Sequence, residues 1–227
     1  MKLILAGATG FIGSEILRQC LRAPTFTSII VLSRRALPVT LAKHTKLTVI
    51  IMKDFTVYPA EVLSQLEGAD ACIWSMGTTA AIPEVELDYP LAFARAFAPT
   101  IPAGQTAFRF LHTSGVLAEK DQSKSLLFFQ EGRRIKGKAE TELLAFAQEE
   151  AQTGRWETYV ARPAMVLKKE GDILKRMGGF VTGTVRVDVL AAVMIDVVCS
   201  RNQDGRIIEN TEIMERGTLL VKGQKGK

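Results

Sequence analysis

The feature that most restricts the fold is GATGFIG, Gly7 to Gly13, set between a short apolar run, Lys2 to Ala6, and a stretch with helical spacing. The three glycines at this junction have separate uses. Gly7 permits a tight turn with no Cβ in the way. Gly10 lets the backbone approach a pyrophosphate, and Gly13 lets the following helix lie close to the strand. The start of that helix offers unpaired N–H groups and the positive end of its dipole to an anion. Strand, glycines and helix stand in the order this reading needs. Gly7, Ala8, Thr9, Gly10, Phe11, Ile12 and Gly13 are therefore the expected cofactor loop. The helix, Phe11 to Arg22, carries Ile12, Ile16, Leu17 and Cys20 on one face.

The same alternation continues along the chain. Ile29 to Leu32, Leu47 to Met52, Ala71 to Trp74, Ala107 to Leu111 and Glu157 to Ala161 read as buried strands, with Arg206 to Glu209 a candidate for a last one. Between them, Ala60 to Leu66, Val85 to Ala98, Gly132 to Gln152 and Val187 to Cys199 read as helices, the second closed by Pro99 and the third by Gly154. Continuous apolar strands separated by helices imply a parallel sheet covered on both faces. Right-handed crossovers then give a doubly wound, Rossmann-like α/β fold. A length of 227 residues suits one compact domain, residues 1–221, with 222–227, rich in Gly and Lys, as a disordered tail.

An NAD site usually has a carboxylate about 20 residues beyond the glycines, for the ribose 2′-hydroxyl. Here the second strand runs instead into Ser33, Arg34 and Arg35. Guanidinium groups suit a 2′-phosphate, so NADP(H) is favoured over NAD(H). Asp54, followed by Phe55, ends the third strand and has two readings: acceptor for the adenine amino group, or cap of the next helix. Gly77, after the fourth strand, permits close approach of a ribose or nicotinamide, while Trp74 reads as core.

The chain carries a net charge of +5. Phosphate-facing arginines account for part of it. No zinc spacing, aromatic RNP sequence or basic helix with heptads accompanies the charge, so no nucleic-acid partner is expected. No metal site is expected either. Cys20, Cys72 and Cys199 are odd in number, widely spaced and in apolar surroundings, which reads as reduced thiols in a cytoplasmic protein. The apolar N-terminal run is too short for a signal peptide, and no stretch approaches the roughly 18 apolar residues of a membrane span.

These elements together resemble the atypical short-chain dehydrogenase/reductase superfamily, in particular its compact Tat-interacting-oxidoreductase-like and NmrA-like groups. The matching motifs are GATGFIG, LSRR at Leu32 to Arg35, DF at Asp54 to Phe55, GTT at Gly77 to Thr79 and DY at Asp88 to Tyr89. TSG at Thr113 to Gly115, KGKAE at Lys136 to Glu140 and RPAMVL at Arg162 to Leu167 continue the match. The resemblance implies that Gly7 to Gly13 hold the pyrophosphate, Arg34 and Arg35 the adenosine phosphate, and Gly77 and Thr78 the ribose. It implies Ser114 as the catalytic serine, Lys136 as the lysine on the nicotinamide ribose, and Pro163 beside the nicotinamide ring. It also implies that about 163–186 builds the substrate pocket. That segment is short here, so a minimal lid and an open cleft for a small-molecule substrate are expected.

One member of the set is missing. The family's catalytic tyrosine stands four residues before the lysine, where this chain has Gly132. The three tyrosines, Tyr58, Tyr89 and Tyr159, have Val62, Phe93 and Pro163 at that spacing, so none substitutes. General acid–base help contributes about 10²–10⁴-fold to such chemistry, and glycine supplies none. His112, Glu131 and Lys136 are the nearby groups that could fill the gap. His112 has a second reading as a half-buried strand residue. The sequence thus expects an NADPH-dependent reductase of a small carbonyl or enone, with Ser114 orienting the oxygen. A non-redox isomerase, dehydratase or cyclase, and a cofactor sensor without turnover, are the alternatives.

Overall fold

The computed structural model describes residues 1–78, 80–168, 183–200 and 205–225. Its strands are β1 (Lys2–Ala6), β2 (Ser28–Ser33), β3 (Leu47–Ile51), β4 (Ala71–Trp74), β5 (Phe108–Thr113), β6 (Trp156–Arg162), β7 (Met165–Leu167), β8 (Thr184–Arg186) and β9 (Ile207–Glu209). Its helices are α1 (Phe11–Arg22), α2 (Val39–Ala42), α3 (Ala60–Leu66), α4 (Tyr89–Phe97), α5 (Gln130–Glu149), α6 (Val187–Cys199) and α7 (Asn210–Lys225). Among the described residues, seven strands form one parallel sheet in the order β3-β2-β1-β4-β5-β6-β9. This is the doubly wound architecture that the alternating pattern implies.

Alternate residues of each central strand serve opposite layers. Leu3, Leu5, Val31, Ile73 and Leu111 face α1 and α6 in one core. Ile4, Ala6, Cys72, Trp74, Phe108 and Phe110 face α4 in the other, beside Leu143 of α5. Most of the aromatic mass lies in this second core, where Phe93 stacks on Phe97 and Phe110. Both layers are built of buried apolar side chains, which is why the strands read as unbroken apolar runs.

Several elements differ from the sequence reading, which did not include the short α2. The single helix expected over residues 85–98 is a wide π-turn, Glu84–Asp88, followed by α4 and a 3₁₀ turn, Ala98–Thr100. Pro90 has no N–H to return to the preceding turn, so the hydrogen-bond register resets there. The proposed tail beginning at Lys222 is the end of α7, which runs to Lys225; residues 226–227 lie outside the described part. This helix forms by packing on α6. A Cβ on Gly217 would come within 2.5 Å of Val189, so the two helices approach closely only because residue 217 is glycine. β7 and β8, three residues each, pair in a small parallel sheet that the sequence did not announce. The segment expected to form the lid falls mostly on 169–182, outside the described residues.

Candidate functional site

Connections from β1 and β4 leave in opposite directions, and such a switch point opens a crevice at the carboxyl ends of the strands. A cleft of about 640 Å³ lies there. It is lined by the start of α1, by the loops after β4, β5 and β6, and by the first turns of α5.

Backbone makes the α1 side. Gly7 has φ +87°, and a Cβ there would sit 2.3 Å from the Ser75 carbonyl oxygen. A Cβ on Gly13 would sit 2.1 Å from the carbonyl oxygen of Gly7. The Gly10 N–H donates to that same oxygen at 2.9 Å. Gly10 caps α1 with no side-chain hydrogen bond, and the helix has no carboxylate in its first turn. Gly10, Phe11 and Ile12 line the cleft, whereas Gly7, Ala8, Thr9 and Gly13 shape the turn behind them. A bare Cα and an uncapped helix start fit a pyrophosphate.

The loops after β2 and β3 stand beyond this wall. The Ser33 hydroxyl donates to the Arg35 carbonyl at 2.7 Å and accepts the Arg35 N–H at 3.2 Å. The turn leaves Arg34 and Arg35 exposed, and neither guanidinium makes a hydrogen bond or ion pair with a described residue. Asp54 is exposed. Its Oδ1 accepts the Thr56 hydroxyl and N–H at 2.6 and 2.7 Å, and these bonds hold its carboxyl below the usual range. It does not cap α3, whose N-cap is Pro59. The Phe55 side chain is fully buried against Trp74 and Tyr89, so as a cofactor contact it retains only its main chain.

The opposite side is made of buried charge. Ser114, Lys136, Gly77, Thr78 and Pro163 all line the cleft. The Ser114 hydroxyl donates to Glu140 Oε1 at 2.6 Å. Glu140 is fully buried and takes a forked pair of bonds from Arg162, whose Nε lies 2.9 Å from the same oxygen. Arg162 Nη1 reaches Glu209 at 3.0 Å. Lys136 Nζ pairs with Glu86 Oε2 at 2.6 Å, and Glu86 Oε1 accepts the Thr78 N–H at 2.6 Å. Glu86 is also fully buried, and a Cβ on Gly77 would meet its carboxylate at 3.2 Å. Two buried carboxylates, each paired with a cation, therefore fix the Ser114 hydroxyl and the Lys136 ammonium, two of the polar groups that line the cleft. Sequence reasoning assigned no role to Glu86, Glu140 or Arg162. Glu140 follows Lys136 by four residues, one turn along the same face of α5, but it pairs with Arg162 and Ser114 instead.

His112 does not join this set. It is fully buried on β5, in register with Trp74, and does not line the cleft. Neither ring nitrogen has a hydrogen-bond partner, and burial, reinforced by the Lys136 charge, pushes its pKa down to about 3. The expectation that it supplies a proton is corrected: it is a neutral core residue. Glu131 is exposed on the first turn of α5 and lies outside the cleft lining. None of the three tyrosines lines the cleft. Tyr58 is buried against Phe93, Tyr89 packs on Phe55, and the Tyr159 hydroxyl donates to Glu157 at 3.0 Å. Gly132 does line it, with room for a Cβ only 3.0 Å from that of Ala81, which itself has φ +49°.

The rest of the lining is mainly apolar, including Met76, Val116, Leu117, Phe129 and Met165, with Ser75, Thr113 and Arg133 among it. Phe129 is 81% exposed and stands at φ +52°, a conformation that costs a bulky residue energy. Among the described residues no three His, Cys, Asp or Glu side chains gather as a metal site, and no helix is long and apolar enough to cross a membrane. The three cysteines are unpaired.

No protein-family model matches the chain. A stretch of 120 residues, 50% of this chain, is 33% identical to the leucinostatins biosynthesis cluster protein T of Purpureocillium lilacinum. The match takes in 42% of that protein's length, so the chain spans less than half of the curated relative. Among solved structures it is similar to the yeast methylglyoxal/isovaleraldehyde reductase complexed with NADPH, at 16% identity and a TM-score of 0.65, over 92% of this chain and 75% of that one. Alfalfa vestitone reductase aligns at 18% identity and a TM-score of 0.65, over 92% and 76% of the two chains. A short-chain type dehydrogenase/reductase from Mycobacterium ulcerans aligns at 12% identity and a TM-score of 0.69, over 94% and 90%. At these identities the likeness establishes a shared fold.

Proposed function

We propose that this chain, whose fold is that of the NAD(P)-binding short-chain dehydrogenases/reductases, is an atypical NADP(H)-dependent oxidoreductase acting on a small organic carbonyl or the corresponding alcohol. One observation carries the reading: the glycine loop, Ser114 and Lys136 open onto a single cleft at the switch point of the sheet. The name of the curated relative suggests a place in secondary-metabolite biosynthesis. The unpaired thiols fit a reducing compartment such as the cytoplasm.

A bound nicotinamide dinucleotide supplies hydride exchange at carbon. Gly10, Phe11 and Ile12 would hold its pyrophosphate at the start of α1, and Arg34 and Arg35 its 2′-phosphate. Gly77, Thr78 and Lys136 would bound its ribose, and Pro163 would lie beside its nicotinamide. Glu86 fixes Lys136 by a charge-assisted bond, so the ammonium keeps one orientation. Ser114 meets the substrate oxygen, with Glu140 holding the proton of its Oγ. A second reading, binding without turnover, is favoured by Gly132, which offers no acid where the resembled family has its tyrosine.

Direct titration with NADPH and NADH tests the proposal. NADPH is expected to bind on the order of tenfold more tightly, the scale of a charge-assisted contact. In the double variant Arg34→Ala/Arg35→Ala the two affinities should converge while the thermal midpoint stays put. Equal affinity of the unaltered protein for both rejects the NADP(H) preference, and affinity for neither rejects the function.

A further inference from the structure

The hydrogen between Ser114 and Glu140 can be assigned. Glu140 is fully buried and sits in the fork of the Arg162 guanidinium, where both its oxygens accept. A carboxylate so held is ionised and has no hydrogen to give. The 2.6 Å bond is therefore donated by Ser114, and its single hydroxyl hydrogen points away from the cleft. What Ser114 Oγ offers to the cleft is lone pairs. The surrounding walls are apolar at Met76, Val116, Leu117, Phe129 and Met165, and the two cations in the lining are already engaged, Lys136 with Glu86 and Arg133 with the Leu117 carbonyl.

We infer that Ser114 is a hydrogen-bond acceptor toward its ligand, and that this cleft selects apolar molecules bearing a hydroxyl or other donor over the matching carbonyl compounds. Glu140 is the positioning residue that sets this polarity. The inference rests on the cleft being the substrate site of the proposed oxidoreductase, and it reverses the donor role that the family resemblance gives to Ser114. Buried acceptors left without a donor are costly, so selectivity of this kind discriminates more sharply than apolar fit does. Substitution at Glu140 should invert it. In Glu140→Gln the donor-only Arg162 takes the amide oxygen, leaving the amide NH₂ to face Ser114. The serine then accepts from the glutamine, and its own hydrogen is free for the cleft.

The probes are diphenylmethanol, benzophenone and diphenylmethane, which share an apolar body and differ in carrying a donor, an acceptor only, or neither. Binding of each to the cofactor-free protein is measured by ligand-observed NMR titration. The alcohol is expected to bind roughly tenfold more tightly than the ketone, the scale of one mismatched polar contact. Glu140→Gln should bring the ketone level with the alcohol or ahead of it. Should that variant fail to fold, Ser114→Ala carries the test: alcohol and ketone should converge while the hydrocarbon is unaffected. Equal or tighter binding of the ketone by the unaltered protein overturns the inference, as does a preference that survives Ser114→Ala, or no binding of any of the three. NADPH titration of the same samples separates the two proposals. Donor preference without cofactor affinity sinks the oxidoreductase and leaves the polarity of Ser114 standing, and the converse does the reverse.

Discussion

The α1 side of the cleft and the α5 side are built of opposite materials. On the first, glycines remove side chains, and main-chain atoms 2.1 to 2.3 Å from where a Cβ would be do the shaping. On the second, side chains place the polar groups: two fully buried carboxylates, each tied to a cation, hold Ser114 and Lys136 at the cleft. A wall of backbone tolerates no added atoms, whereas a wall of paired charge tolerates no removed ones. The first is suited to a fixed, generic group such as a pyrophosphate. The second can be retuned one residue at a time.

The contrast is open to breaking. Gly13→Val should be the most damaging change, since its Cβ meets rigid backbone; a loss of about 4 kcal/mol in urea unfolding is expected. A loss near zero would mean that the glycine wall yields and is not set by backbone contact. Glu140→Ala should cost about 3 kcal/mol by leaving Arg162 without its buried partner. The double variant Glu140→Ala/Arg162→Ala should recover part of that loss, because no unpaired charge is left inside. If it does not, the α5 side is held by packing rather than by pairing.

The third test concerns His112, which lies within the electrostatic reach of Lys136. In the unfolded chain its imidazole takes a proton near 6.5, and in the fold only near 3. Below pH 6.5 the unfolded chain therefore binds the extra proton first, and stability falls as pH falls until about 3. This contribution reaches about 2 kcal/mol at pH 5 and should vanish in His112→Phe, as read from chemical denaturation across that range. An unchanged pH slope in the variant would mean that His112 is not the neutral buried group described.

Legibility in the sequence follows the same division. The glycine wall could be read directly because its physics is local: a turn, a close approach and a helix start all lie within seven consecutive residues, Gly7 to Gly13. The charged wall could not, because its partners are distant. Glu86 is 50 residues from Lys136, and Ser114 is 26 from Glu140. Lys136 and Ser114 were identified by motif, but what they bond to was not. For His112 the sequence left two readings open, because its neighbours in sequence say nothing of the layer that buries it; the structure decides for the strand residue, fully rather than half buried. α7 was overlooked in part because its helical stability comes from α6, across the gap that Gly217 leaves open.

By itself the sequence determined the alternation of apolar strands and helices, hence the parallel sheet, and the phosphate-type turn at its start. Those are matters of period, chirality and steric freedom, all decided within a few residues. Only the tertiary structure decided which groups share the cleft, that His112 is excluded from it, and that the serine hydrogen faces inward to Glu140. Those depend on where charge is buried and which partner neutralises it, and desolvation is a property of the assembled layers rather than of any segment.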